Sequence, residues 1–336
     1  MENKRKVGVD IIRASAILFV LSVHFFLNTS FYQVPVVGKS MYLQVFMRMM
    51  FIICVPLFMI LTGYLQRNKQ LTSSYYKKII PILIIYLVYS ILSIIFRITI
   101  LKEHKSIIQW IASIENFSAD TYSWYIEMYI GLFLIGPCLN LIYNNLNSKK
   151  QKNILIIVSI LMTACPAFFN GKMYGLLNFP NYWSNMYPIM YYFIGCYIHE
   201  YKPKIQRRHT VSIFFFIVIL ETVLEIYSAN SGVFSTYVGY YGSLTILIQA
   251  IAFFLTFYDV ELENKLAVKT ISLISVLSLD IYLVSKITDT IIYTLLYKYY
   301  PLSQQNIIML FIPIVFCTFI LAFTISYLRN KFIKVR

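Results

Sequence analysis

Arg13 and His24 stand eleven residues apart inside an apolar run that begins at Val7. On an α-helix they would differ by only about 20° around the axis and lie about 16 Å apart along it. One stripe would then carry a guanidinium near one end and an imidazole deep in the run. Asp10 falls one turn before Arg13, close enough to orient it or partly neutralise it. A guanidinium suits bidentate contact with phosphate oxygens, and an imidazole can take a proton from a hydroxyl near neutral pH. The pair therefore suits a phosphate-bearing donor whose flexible arm delivers an acyl group beside His24. It also suits a plain structural role, with His24 hydrogen-bonding a neighbouring helix and Arg13 snorkelling to the membrane interface.

The elements that must position these residues are membrane helices. The chain is 59% hydrophobic and only 13% charged, against roughly 45–50% apolar and about 25% charged in a soluble domain. Apolar runs of about twenty residues, enough to cross a hydrocarbon core of about 30 Å, recur along it. They fall at 7–28, 43–65, 79–101, 122–144, 153–169, 183–200, 211–228, 241–258, 270–293 and 307–328. The fold class is thus all-α: a polytopic membrane protein of about ten transmembrane helices, forming one domain over residues 1–336 with no appended catalytic module. The first run is too long for a signal-peptide core, lacks a small-residue cleavage site, and is read as retained. Pro81, Pro137, Pro166, Pro188 and Pro313 interrupt several runs, which membrane helices tolerate.

Basic residues set the orientation. Alternate connections hold twenty Lys and Arg on one side, among them Lys4, Arg5, Lys6, Arg67, Lys77, Lys78, Lys152 and Arg329, and five on the other: Lys39, Lys102, Lys105, Lys172 and Lys298. The positive-inside rule then places both termini in the cytoplasm. The net charge of +15 reports topology and contact with anionic membrane lipid, not nucleic acid. The five cysteines (Cys54, Cys138, Cys165, Cys196 and Cys317) all lie in apolar runs without metal-ligand spacing and read as buried free thiols, with no metal site.

Further ionisable groups inside the runs, each costing roughly 2.5–3.5 kcal/mol at a helix centre, mark a cavity or a partner. They are Arg48, Arg97, Glu127, Glu221, Glu225, Asp280, Lys286 and Asp289. Arg48 suits either a cavity lining or a cross-helix pair with Glu127. Trp124 and Tyr125 fit an aromatic belt or a sugar-stacking surface. Glu221 and Glu225, one turn apart, read as lining a wet surface near the outer end. Lys286 and Asp289, three residues apart, read as a local pair.

Several ordered motifs carry a resemblance. Asp10-Ile-Ile-Arg13-Ala14 followed by His24 resembles the opening helix of the integral membrane acyltransferase 3 family. Val55-Pro56-Leu57-Phe58-Met59-Ile60-Leu61-Thr62-Gly63-Tyr64 is similar to that family's apolar run ending in Ser-Gly-aromatic. Tyr75-Tyr76-Lys77-Lys78-Ile79-Ile80-Pro81 resembles its basic pair ahead of a proline, and Ser123-Trp124-Tyr125-Ile126 its Leu-Trp-Tyr-Leu helix. Tyr192-Phe193-Ile194-Gly195 and Leu277-Ser278-Leu279-Asp280-Ile281-Tyr282-Leu283 match two later blocks, so the resemblance covers nearly the whole chain.

The resemblance implies an acyltransferase of the bacterial plasma membrane, multi-pass, moving an acyl group, usually acetyl from acetyl-CoA, to a hydroxyl of a cell-surface glycan or lipid-linked sugar. It implies that Arg13 and His24 are essential, with His24 as general base. Lys77 and Lys78 would join Arg13 in holding coenzyme A phosphates, with acetyl-CoA a substrate and no resident cofactor. The acceptor would be the glycan itself or a separate extracellular protein that takes the acetyl group. Asp10, Arg48, Thr62, Tyr64, Trp124 and Glu127 are the expected supporting residues around the cavity. Three positions depart from the pattern: Ser285 stands where the family commonly has His, Thr62 where serine is usual, and Ser123 before Trp124 where many members carry His-Leu. The rival reading is a transporter or flippase of lipid-linked glycan that uses His24 and the acidic groups as a proton path.

Overall fold

The computed structural model describes residues 7–170, 177–300 and 302–333. Lys4, Arg5, Lys6, Lys172, Lys334 and Arg336, which enter the charge reading, lie outside these residues. The described chain is helical: α1 (Val7–Asn28), α2 (Lys39–Phe51), α3 (Cys54–Gln66), α4 (Ser73–Tyr76), α5 (Ile80–Thr99), α6 (Ile107–Glu115), α7 (Trp124–Asn144), α8 (Lys149–Phe169), α9 (Tyr187–Tyr201), α10 (Arg207–Ala229), α11 (Leu244–Phe257), α12 (Lys265–Tyr299), α13 (Gln304–Ile307) and α14 (Phe311–Phe332). Among the described residues there is no strand, only an isolated bridge between Pro35 and Val233.

Eight segments among the described residues are long and apolar enough to cross a membrane: α1, α2 with α3, α4 with α5, α7, α8, α10, α12, and α13 with α14. The expected runs at 183–200 and 241–258 form α9 and α11, which have 15 and 14 residues. At about 1.5 Å per residue these two are shorter than a hydrocarbon core. The run at 270–293 is the middle of a 35-residue helix, α12. Helix α6, amphipathic and only nine residues long, has no counterpart among the expected runs.

The chain divides into two compact units. The first holds residues up to Asn68, residues 139–275 and residues 302–311. Its densest seam is α3 against α9, where the helices meet at glycines. A Cβ on Gly63 would lie 2.0 Å from the carbonyl oxygen of Tyr192, and one on Gly195 would lie 2.1 Å from that of Ile60. Small residues that let backbones approach this closely are the main device for packing helices in lipid, where apolar burial gives little net drive. Beside the seam, Asn140 donates to the Gln66 carbonyl and accepts from Tyr192. Phe25, Phe26 and Phe31 pack with Phe311 and Phe234 at the far end of α1.

The second unit holds residues 69–138, 276–300 and 312–333 within the described chain. Its buried ionic centre is Asp280, which accepts from Arg329 and from the Tyr89 hydroxyl (3.0 Å). Arg329 is thus a buried ion-pair partner instead of a free loop charge. Lys286 stacks over the Tyr122 ring at 5.1 Å, and Asp289 accepts from the Tyr122 hydroxyl at 3.2 Å. Both acid and base meet an aromatic residue of another segment where a purely local pair was expected. All five cysteines are free, and three are buried; Cys138 and Cys317 are exposed, against expectation, because they fall on outward faces of α7 and α14.

Candidate active site

Helix α1 runs unbroken from Val7 to Asn28 with no internal proline, so the spacing of Arg13 and His24 keeps them on nearly one face. Neither side chain is thrown out to lipid: Arg13 is half-buried and His24 is only 7% exposed. The start of the helix is pressed against α11, since a Cβ on Gly8 would lie 2.2 Å from the Phe257 carbonyl oxygen. That contact fixes the axial position of everything that follows on α1.

Around Arg13 the structure builds a small polar cluster. Ser275 on α12 donates to Asp10 Oδ1 at 2.6 Å and accepts from Arg13 Nη1 at 3.2 Å. Ser272, one turn earlier on the same helix, donates to the other carboxylate oxygen of Asp10 at 2.8 Å. Asp10 is buried, so these hydroxyls replace the water its charge would otherwise require. The net result is a guanidinium aimed by a serine that also holds the buried Asp10 carboxylate. At the other end of the stripe, the Asn28 amide donates to the His24 carbonyl at 2.8 Å and secures the last turn of the helix.

Arg48, on α2, is buried and finds its partners within its own unit. Nε donates to the Tyr32 hydroxyl at 3.2 Å, and the guanidinium covers the Phe234 ring at 4.7 Å. Glu127, its suggested partner, lies in the first turn of α7 in the other unit and is exposed, a position where a carboxylate favours the positive end of the helix dipole. Thr62 turns its hydroxyl back to the Phe58 carbonyl at 2.7 Å, so it serves its own helix. Tyr64 packs on His199, whose Nδ1 is 2.7 Å from the Tyr64 carbonyl oxygen, and on Phe254. Trp124 is 39% exposed at the start of α7, edge-on to Tyr125.

Lys77 and Lys78 are exposed on a single 3₁₀ turn between α4 and α5. The tyrosines before them hold that turn in place. Tyr75 stacks on Phe133 at 4.4 Å and donates to its carbonyl at 2.7 Å, and Tyr76 donates to the Leu134 carbonyl. Pro81 opens α5 at a position where a missing N–H costs nothing.

The acyltransferase 3 family model, described as an acyltransferase domain, matches residues 6–328. The chain belongs to that family. No curated protein and no solved structure matches it. An acyltransferase 3 protein with many apolar helices is a membrane acyltransferase, and a multi-pass one.

Within this acyltransferase the first unit brings Asp10, Arg13, Ser272 and Ser275 together and buries His24 along the same helix. It places Arg48 in a separate setting. Two serines escape a reading of charges, because a hydroxyl inside a membrane run is inexpensive and common. The available signal was the recurrence of Ser272, Ser275 and Ser278 every three residues, a polar stripe on one face of α12. Ser285, in place of the family's common histidine, is fully buried and donates to the Tyr282 carbonyl at 2.7 Å.

Glu221 and Glu225 correct an expectation. Both are buried, not wet. The Glu225 carboxylate accepts backbone N–H groups of Tyr237, Val238 and Gly239 at 2.7–3.1 Å, so it pins the segment between α10 and α11.

Proposed function

We propose that this membrane acyltransferase moves acetyl from acetyl-CoA to a hydroxyl of a cell-surface or exopolysaccharide precursor. The observation that carries the reading is the single helix face on which a serine-held Arg13 precedes a buried His24. Arg13 binds donor phosphate oxygens, and His24 takes the proton of the acceptor hydroxyl as its oxygen attacks the thioester carbonyl. The C–S bond then breaks, coenzyme A leaves as thiolate, and the imidazolium returns the proton to that sulfur. The products are the acetyl ester and free coenzyme A. The role of Lys77 and Lys78 as further phosphate contacts rests on the family resemblance alone. The proposal includes ten membrane crossings with both termini cytoplasmic, as the alternation of basic residues supports.

The test uses the full-length protein in nanodiscs with acetyl-labelled acetyl-CoA and the total glycan-lipid fraction as acceptor. Label transfer or thioester hydrolysis that disappears in His24→Ala supports the reading. Movement of lipid-linked glycan across the bilayer with no consumption of coenzyme A thioester overturns it in favour of transport.

A further inference from the structure

Helix α6 is tied down on one face and bare on the other. A capping box opens it: Ser106 Oγ accepts from the Gln109 N–H at 3.3 Å, and Gln109 Oε1 accepts from the Ser106 N–H at 2.9 Å. Its inward Trp110 is buried beneath the Arg97 guanidinium, 5.0 Å from the ring centroid, with Lys105 at 5.1 Å. Arg97 is itself fixed by both oxygens of Glu103, at 3.0 and 2.7 Å, and by the Ala119 carbonyl at 3.0 Å. At the other end, Tyr86 donates to the Ile114 carbonyl at 2.6 Å and packs on Phe117.

The outward face carries Ile107, Ile108 and Ile111, exposed by 78%, 78% and 52%. At about 100° per residue they fall within an arc of about 100° on one side of the helix. A short helix held at both ends with three bare isoleucines is not a frayed loop. Its surroundings say what covers it. The exposed face of α5, part of a segment long and apolar enough to cross a membrane, leads up to it through Ile95 and Ile98, and exposed Ile100 and Leu101 continue the apolar strip just past its end. The connection that follows carries Lys102 and Lys105, charges that match anionic headgroups. Glu115 closes the far end of the face and is exposed.

We infer that α6 lies in the membrane interface, with Ile107, Ile108 and Ile111 set into the boundary between headgroups and acyl chains of a phospholipid leaflet. Amphipathic helices bind there by apolar burial supplemented by cationic contact. The Arg97–Trp110 contact sets its depth, because α6 hangs from the end of α5 by that side chain. The partner is bulk phospholipid, and the inference does not depend on the acyl-transfer reading.

The test places a bimane label at Ile108→Cys, or at Gln109→Cys as the control, in full-length protein carrying C138A and C317A. Each is reconstituted in nanodiscs whose phospholipid is brominated near the top of its acyl chains. The expected result is quenching by the brominated lipid several-fold stronger at 108 than at 109, with aqueous iodide giving the reverse order. Equal iodide quenching at both positions overturns the inference, since α6 would then stand in water. A label at 108 shielded from both quenchers also overturns it, because a protein surface would occupy the face. Ile111→Cys repeats the reading if Ile108→Cys fails to fold.

Discussion

Ser275 donates its hydroxyl to Asp10 at 2.6 Å and accepts from Arg13 at 3.2 Å, so one small side chain of α12 orients the charged first turns of α1. Ser275→Ala leaves a buried carboxylate one donor short, a loss of about 1–3 kcal/mol if the site cannot relax. The expected outcome is a rise of about tenfold in the KM for acetyl-CoA with a smaller change in kcat. Steady-state kinetics in nanodiscs check it, and an unchanged KM would remove Ser275 from the donor site.

Removing the base should do the opposite. His24→Gln keeps a polar side chain of similar reach but cannot take up the proton. A fall in kcat of about 10²–10⁴ is expected, with binding of a non-hydrolysable acetyl-CoA analogue retained by calorimetry. Arg13→Ala should lose that binding instead. The two variants thus separate donor anchoring from proton transfer, and loss of binding in both would point to a collapsed helix.

The two glutamates of α10 predict opposite stability effects. Glu225 holds three consecutive backbone N–H groups, so Glu225→Gln weakens charge-assisted bonds and should cost about 1.5–3 kcal/mol. Glu221 is buried one turn away, with neither carboxylate oxygen in a hydrogen bond. Glu221→Gln replaces a buried carboxyl that has no such backbone partners and should be neutral or stabilising. Thermal unfolding in detergent compares the pair, and a larger loss for Glu221→Gln would invert this account.

Asp120, in the connection before α7, provides a pH signature. Burial pushes its carboxyl up from 3.8 to about 7, against the bond from the Tyr122 N–H and the nearby charge of Lys286. The folded protein therefore holds this proton more tightly than the unfolded chain does. The stabilisation is complete at acid pH and is lost as pH rises towards and through about 7. Asp120→Asn should flatten that part of the curve, becoming relatively more stable at pH 8 than at pH 5 when melting temperatures are compared. A parallel shift at both values would assign the effect elsewhere.

Helix positions were legible because they depend on local apolar length. The stripe of Arg13 and His24 was legible because it needs only the helical period. What escaped depends on contacts distant in sequence. Arg329 looked like a loop charge because it sits near the end of a run, yet α14 continues past it and carries it to Asp280. Glu221 and Glu225 looked wet because two acids on one face usually are, and nothing local announces that residues 237–239 will offer N–H groups to one of them. Helix α6 escaped because nine residues after a charged connection fall below any membrane-length window.

Gly63→Ala is expected to be among the most damaging conservative changes, since its Cβ would fall 2.0 Å from the Tyr192 carbonyl oxygen and neither backbone can yield cheaply. A loss of about 1–3 kcal/mol or more follows from overpacking alone, measured as a fall in melting temperature, with Gly131→Ala, where nothing lies within 4 Å, as the silent control.

That glycine seam also bears on biogenesis. Gly63 leaves the ribosome more than a hundred residues before Gly195, so α3 must wait in the bilayer with its groove facing lipid until α9 is delivered. Insertion and assembly are therefore separate events for this unit. A chain stalled between them would present an open groove to whatever quality-control protease patrols the membrane.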